Sequence, residues 1–242
     1  MRGLALSLAI CLIPCIPALS FGQYGSISDL KLSKPEDKVD AKGEPPPKGA
    51  IILFDGKNLD QWTTLDGKGK APWKLLDDGI MQVNKENIIT KDKFGGAFKL
   101  HVEFRVPYLP DKKGQARGNS GVYVQGRYEV QVLDSYGLES KIDDCGAIYG
   151  IAVPKVNACK APTVWQTYDI EYSSPKCKDG KNVENARMTV YHNGIKIHDN
   201  VEITKDNTTA GLGGDVCKPG PIMLQDHGNP VQFRNIWLLP SK

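Results

Sequence analysis

The chain has 242 residues, 24% of them charged, and a formal net charge of +3 at pH 7. Lys and Arg are interleaved with Asp and Glu, and no basic run is long enough to argue for a nucleic-acid partner. Beyond the first residues, no stretch approaches the ~20 apolar residues of a membrane span.

The N-terminus reads as an export signal. Met1-Arg2 is followed by the apolar run Leu4 to Ile13, too short to cross a bilayer. Pro14 and Pro17 break it, and Ser20-Phe21-Gly22 places small residues for cleavage before Gln23. A lipoprotein reading through Cys15 fits poorly, because Pro14 precedes it. Residues 1–22 are therefore expected to be a signal peptide, and the mature chain to be exported, to the periplasm or beyond the cell. Cleavage leaves four of the six cysteines: Cys145, Cys159, Cys177 and Cys217. An even number in an exported chain predicts disulfides. Of the three pairings, the local one is favoured, Cys145 with Cys159 and Cys177 with Cys217. No C-x-x-C pair argues for zinc.

Residues 23–48 are polar and Pro-rich, with Lys34-Pro35-Glu36-Asp37-Lys38 and Glu44-Pro45-Pro46-Pro47-Lys48. Few large apolar groups are available to offset ordering, so a flexible linker is expected. Residues 49–242 read as one domain.

Within that domain, period-two alternation between turn signals recurs. Ile51 to Phe54 leads to Asp55-Gly56, and Asp78-Gly79 precedes Ile80 to Val83. Leu100 to Val106, Gly121 to Gln125, Arg127 to Val132 and Trp165 to Tyr172 follow. Ala186 to Tyr191 meets His192-Asn193-Gly194, a hairpin signal, and returns through Ile195 to Ile197. Ile222 to Gln225 and Val231 to Leu238 close the series. About ten short strands in one domain predict an all-β sandwich or barrel.

Three strands carry a polar line against an apolar one. Arg127, Glu129 and Gln131 oppose Tyr128, Val130 and Val132. His101, Glu103 and Arg105 oppose Val102, Phe104 and Val106. Gln232, Arg234 and Ile236 oppose Val231, Phe233 and Trp237. Such stripes are what any solvated sheet face shows. Their chemistry is less ordinary: Glu, Arg and Gln are planar donors and acceptors suited to sugar hydroxyls. Trp62, Trp73, Trp165 and Tyr149 offer aromatic faces to a pyranose, or serve the core. A carbohydrate is the expected partner.

Leu53-Phe54-Asp55-Gly56-Lys57-Asn58-Leu59-Asp60-Gln61-Trp62 resembles the start of the 3-keto-disaccharide hydrolase domain, also described as 3-keto-glucoside lyase and 3-keto-2-hydroxyglucal hydratase. Gly118-Asn119-Ser120-Gly121-Val122, Tyr128-Glu129-Val130-Gln131-Val132-Leu133-Asp134, Gly220 to Gly228 and Phe233-Arg234-Asn235-Ile236 continue the resemblance in order. It implies a concanavalin A-like jelly roll of two antiparallel sheets, shared with lectins and glucanases. It also implies substrates already oxidised at C3 of a glucosyl unit. The ketone acidifies the C2 proton, a base removes it, the C1 substituent leaves, and water adds to the glucal.

On that reading Glu129 and His227 are the candidate catalytic residues. A carboxylate needs desolvation to become a base near neutral pH, whereas imidazole titrates there ordinarily. Glu103, Arg105, Asn119, Gln131, Asp134, Arg234 and Trp73 are candidates for holding substrate. Asp134 with Glu129 would alternatively suit a divalent cation, Ca²⁺ or Mg²⁺; the sequence leaves metal dependence open. Two rivals share the scaffold. A non-catalytic carbohydrate-binding module would use the same stripe. A conventional β-glucanase would need a second carboxyl ~5–5.5 Å from the first, where Gln131 and Asp134 replace the expected acids.

Overall fold

The structure is a computed structural model and describes residues 24–241. The expected signal peptide, Cys11 and Cys15 lie outside the described residues. Two sheets make an all-β jelly-roll sandwich, as the alternation predicts. Every strand pairing within them is antiparallel.

The larger sheet has eight strands. Its centre is β6 (Ala97–Arg105), flanked by β9 (Gln166–Ser173) and the last strand, β15 (Gln232–Pro240). Beyond β9 lie β12 (Arg187–His192) and β13 (Ile195–Glu202); beyond β15 lie β4 (Ile80–Gln82) and β3 (Lys74–Leu76), and β1 (Ile51–Phe54) also pairs with β15. The smaller sheet runs β2 (Trp62–Thr64), β5 (Ile88–Thr90), β14 (Met223–Leu224), β7 (Ser120–Val124) and β8 (Tyr128–Val132). A separate ribbon, β10 (Lys176–Lys178) with β11 (Lys181–Glu184), is tied at Cys177 by the disulfide Cys177–Cys217. The other expected bridge is not closed: Cys145 and Cys159 are free thiols in this structure.

The core lies between the sheets because each strand turns its apolar line inward. Leu100, Val102 and Phe104 face Val122, Val130 and Val132 in one continuous cluster, all essentially without exposure. Each such side chain contributes about 1.5–3 kcal/mol by leaving water. Tyr128 and Tyr172 meet across the interface at 6.1 Å between ring centres. The expected hairpin forms at Asn193 and Gly194, both with positive φ, the geometry a two-residue turn between twisted strands demands.

A bulge changes one expected face. Asn235 has φ +44°, and the β15–β6 register shifts between Arg234 and Trp237. The extra residue reverses the alternation that follows. Ile236 therefore enters the core, and Trp237 turns outward to stack on His101 at 5.0 Å.

Residues 24–48 are not detached from the domain, contrary to the linker expectation. They run along the outer side of the larger sheet as a strap. Tyr24 donates its hydroxyl to the Arg105 carbonyl at 2.7 Å, and the Ala41 N–H donates to the Trp165 carbonyl at 2.8 Å. Asn235 Nδ2 and Trp237 Nε1 both donate to the Glu44 carbonyl, at 2.8 and 3.1 Å. Ile27, Leu30 and Leu32 pack against Tyr136, Ala161 and Val164. Composition understated this segment because its few apolar residues are concentrated at one place and its polar backbone finds partners.

Candidate active site

The two sheets turn two different polar faces outward, and the expected site residues divide between them. On the smaller sheet, the register aligns Thr63, Ile89, Met223, Tyr123 and Glu129 in one row across the face opposite the core. Gln131 pairs with Gly121 one step along, and Gln225 donates its N–H to the Gly121 carbonyl. Glu129 is the one side chain of these that ionises as a carboxylic acid, and no Lys or Arg stands among them.

Glu129 is 3% exposed. Burial raises its carboxyl to about 7, only partly opposed by a hydrogen bond from Tyr123. Gln225 Nε2 in turn donates to the Tyr123 hydroxyl at 2.9 Å. Burial, with the neighbouring Glu129 charge adding to it, pushes the Tyr123 phenol upward, so it stays a donor through the neutral and alkaline range. Gln225 thus orients Tyr123 beside Glu129, whose carboxyl is poised near neutrality by burial. Gly121 makes room for it. A Cβ there would overlap Glu129 Oε1 and approach the Tyr123 ring to 2.8 Å. The loop after β8 supplies a wall, where the Tyr149 N–H donates to the Glu129 carbonyl at 3.0 Å.

Gln131 and Asn119 stand beside this row, tied together through Gln115. Gln115 Oε1 accepts from both, each at 2.9 Å. Asn119 Oδ1 and Gln225 Oε1 are enclosed acceptors without a partner among the described residues. His227 is exposed in the bend just after Gln225, where Asp226 accepts from the Gly228 N–H at 2.8 Å. Asp134, at the end of this strand, is engaged by Arg117 at 2.8 Å and by the Tyr136 N–H. Among the described residues, the groups of acids, His and Cys close enough to share an ion include neither Glu129 nor Asp134. Arg127, from the same predicted stripe, donates to the carbonyls of Gly213, Asp215 and Lys218 and so anchors a loop.

Glu103, Arg105 and Arg234 lie on the other sheet, beneath the strap. Glu103 accepts from Arg234 Nε and Asn235 Nδ2, each at 2.7 Å. Burial opposes its charge, but hydrogen bonds from His101, Asn235 and Arg234 prevail and hold it below the ordinary carboxylate range. His101 sits 3.0 Å from Asp169, and Lys99 bridges Asp169 and Glu44. The Arg105 and Arg234 guanidinium groups each lie over the Trp165 ring, at 4.7 and 4.1 Å from its centre. Gly43 passes so close to the Glu103 carboxylate that a Cβ would overlap it. Their charges pair with one another and fasten the strap, the loosest contact being His101 Nε2 at 3.6 Å from Glu103, so they do not join Glu129. Trp73 is in the core, stacked on Phe233, with its indole N–H on the Glu86 carbonyl at 2.7 Å.

Sequence reasoning overlooked Tyr123 and Gly121 as site residues. Cross-strand pairing, not local alternation, makes them neighbours of Glu129. The match to Gly118 through Val122 was the available signal.

A family match and solved relatives support a carbohydrate-active protein, on a jelly roll whose Glu129 row holds one near-neutral buried carboxyl. The sequence pattern of the 3-keto-alpha-glucoside-1,2-lyase-like domain matches residues 49–239, and the chain belongs to that family. It is similar to a solved protein of Parabacteroides distasonis provisionally named a glycosyl hydrolase, at 34% identity and a TM-score of 0.71, over 89% of this chain and 97% of the other. Two further proteins of the same organism and provisional name share the fold. They have 20% and 23% identity and TM-scores of 0.57 and 0.53, over 81% and 79% of this chain and 95% and 99% of theirs. No functionally curated protein matches the sequence.

Proposed function

We propose that the chain cleaves 3-keto-glucosides by elimination and then hydrates the product, on the face that carries Glu129. The observation that supports this most is the Glu129 carboxyl at about 7, buried and braced by Tyr123. A base for a carbon acid beside a ketone works best near ambient pH, and burial supplies that basicity. Glu129 takes the C2 proton, the C1–O bond breaks, and the electron pair forms C1=C2 of a 2-hydroxy-3-keto-glucal. The departing oxygen takes a proton and leaves as an alcohol; His227, exposed in the bend two residues after Gln225, is the donor in this reading. Water then adds its hydroxyl to C1 and a proton to C2. Tyr123 and the amides of Gln131 and Asn119 orient the ring and its oxygens.

The test is a panel of 3-keto-glucosides and their unoxidised parents, incubated with the protein and with its Glu129→Gln variant, with and without EDTA. Cleavage of the oxidised sugars alone, lost in the variant, is expected. Turnover confined to the unoxidised parents refutes the mechanism. Glycan binding without turnover on the whole panel assigns a binding module instead. Loss with EDTA would mean that the reaction needs a divalent cation.

A further inference from the structure

Behind the wall of the Glu129 face lies a second reactive group that this chemistry leaves unused. Cys145 is buried and Cys159 half-buried, and their sulfurs lie within 4.8 Å of each other and of a His192 ring nitrogen. The Cys145 sulfur also contacts the Tyr168 hydroxyl at 3.1 Å. Three loops meet at the pair. The Cys145 N–H donates to Ser135 Oγ, and the Cys159 N–H to Asn157 Oδ1, each at 3.0 Å. The Asn157 amide then returns to the Ser135 carbonyl at 2.7 Å. The same segment continues into the active face, since Gly146 N–H and Tyr168 O–H both donate to the Gln131 carbonyl.

We propose that Cys145 and Cys159 are an oxidation site: a disulfide donor converts the pair to a cystine that staples the wall beside Glu129 to the loop at 157–160. Access is one-sided. Cys159 lines a cavity of ≈480 Å³ between the strap and the loop, together with Lys34, Tyr136 and Lys160, whereas Cys145 stands behind it. The order of steps follows from that. The Cys159 thiolate attacks the donor R–S–S–R, giving Cys159–S–S–R and releasing one R–SH. Cys145 then attacks the Cys159 sulfur, closing the protein bridge and releasing the second R–SH. The protein loses two electrons and two protons, and the donor is reduced to two thiols. Burial opposes a Cys145 thiolate, but the contact between the two sulfurs lowers its pKa; the same contact, together with burial, raises Cys159, so access and not acidity gives Cys159 the first attack. The chain already carries one bridge, Cys177–Cys217, and the exported location expected from its N-terminus would supply such donors.

His192 offers the competing fate. Burial pushes its pKa down to about 3, so it is neutral, and its Nε2 lies 2.9 Å from Gln166 Oε1. A neutral imidazole beside two thiols can hold a thiophilic metal ion, so the test must separate oxidation from metal capture.

The full chain, purified without reductant, is treated with oxidised glutathione, unfolded, alkylated and mapped by mass. The expected result is a Cys145–Cys159 peptide pair two hydrogens lighter, with no alkylatable thiol. In Cys145→Ser, Cys159 should be trapped as a glutathione adduct; in Cys159→Ser, Cys145 should carry none. The closed roughly 15-residue loop should raise the melting temperature by roughly 6–12 °C over the dithiol form. Two thiols that stay alkylatable after treatment overturn the proposal. So does a stoichiometric metal ion that blocks oxidation until a chelator removes it. If either serine variant fails to fold, the wild-type mass map still decides.

Discussion

Tyr123→Phe is the substitution that probes the Glu129 face most directly. It removes one hydroxyl and leaves the buried ring in place, with Gln225 losing its acceptor at 2.9 Å. The Tyr123 hydrogen bond favours the ionised form of Glu129 against burial. A hydrogen bond to a charged group contributes roughly 1.5–3 kcal/mol, which corresponds to roughly one to two pH units. Glu129 titrates at about 7 with the bond in place, so without it the carboxyl should titrate roughly one to two units higher. At pH 7 its ionised fraction would fall from about half to between about one tenth and one hundredth. kcat/KM toward a 3-keto-glucoside should therefore drop roughly 5- to 50-fold at pH 7 and recover as the pH is raised. The assay is the pH profile of kcat/KM for both proteins. An acid limb that does not move, whatever the loss of rate, would refute the assignment of Tyr123 as the group that tunes Glu129. A uniform loss at every pH would instead make its hydroxyl a proton donor or oxyanion ligand.

Glu129→Gln should kill turnover and stabilise the fold above neutral pH. A folded pKa raised from 4.5 to about 7 means the buried charge costs roughly 3 kcal/mol once pH exceeds 7, and nothing below about 4, so melting temperatures of the two proteins should converge in acid. Gly121→Ala should abolish activity with a smaller stability loss, because its methyl overlaps Glu129 Oε1; calorimetry beside turnover separates the two effects. Glu103→Ala leaves the partly exposed Arg234 without its carboxylate and His101 with Asp169 alone, and should cost roughly 1.5–3 kcal/mol in denaturant unfolding while KM stays near wild type. Removing residues 24–48 should lower the melting temperature and expose Trp165 and Trp237, read as a red shift in tryptophan emission.

The acid–base cluster beneath the strap should also give stability a pH dependence of its own. Burial opposes a charged His101, but its Asp169 and Glu103 partners outweigh this and raise its pKa, so its contribution is complete below about 6.5 and fades as pH rises through the raised value. Asp169 is likewise held low, despite burial, by hydrogen bonds from His101 and Lys99, as is Glu103 by its own partners. Their contributions are present above the ordinary carboxylate range and fade as pH falls through the lowered values. The cluster is strongest between those limits. Glu103→Gln should flatten the profile at both ends.

The sequence shows which residues share a face of one strand far more readily than which strands share a face of the protein. Glu129 and Gln131 alternate against Tyr128 and Val130 as clearly as Glu103 and Arg105 alternate against Phe104 and Val106. Both lines point away from the core, as expected, yet they belong to opposite outsides of the sandwich. Sheet membership depends on long-range pairing, β6 with β15 and β8 with β7, that local alternation does not encode. The positive φ at Asn235 is a similar case. A single residue out of register sends Trp237 outward and Ile236 inward, and alternation without the bulge assigns them the other way.

What separates the two faces chemically is whether each charge finds a partner. Glu103, placed against Arg234, Asn235 and His101, is held ionised and spends its lone pairs on the protein. Glu129, placed against Tyr123 and Gly121, meets no cation among the described residues of its row and is pushed toward neutrality by burial. A buried carboxylate that is paired fixes structure, and one that is nearly unpaired retains free basicity for a reacting proton. The strap follows the same logic, covering the satisfied face with its own backbone and leaving Glu129 to the other side. Swapping this balance gives a direct check: Met223→Lys, which sets an ammonium in the Glu129 row, should pull the carboxyl back toward its ordinary range and shift the acid limb of the pH profile downward. It should also lower the maximal rate, because the base becomes weaker. An unchanged limb would mean that Glu129 is not the group whose ionisation sets it.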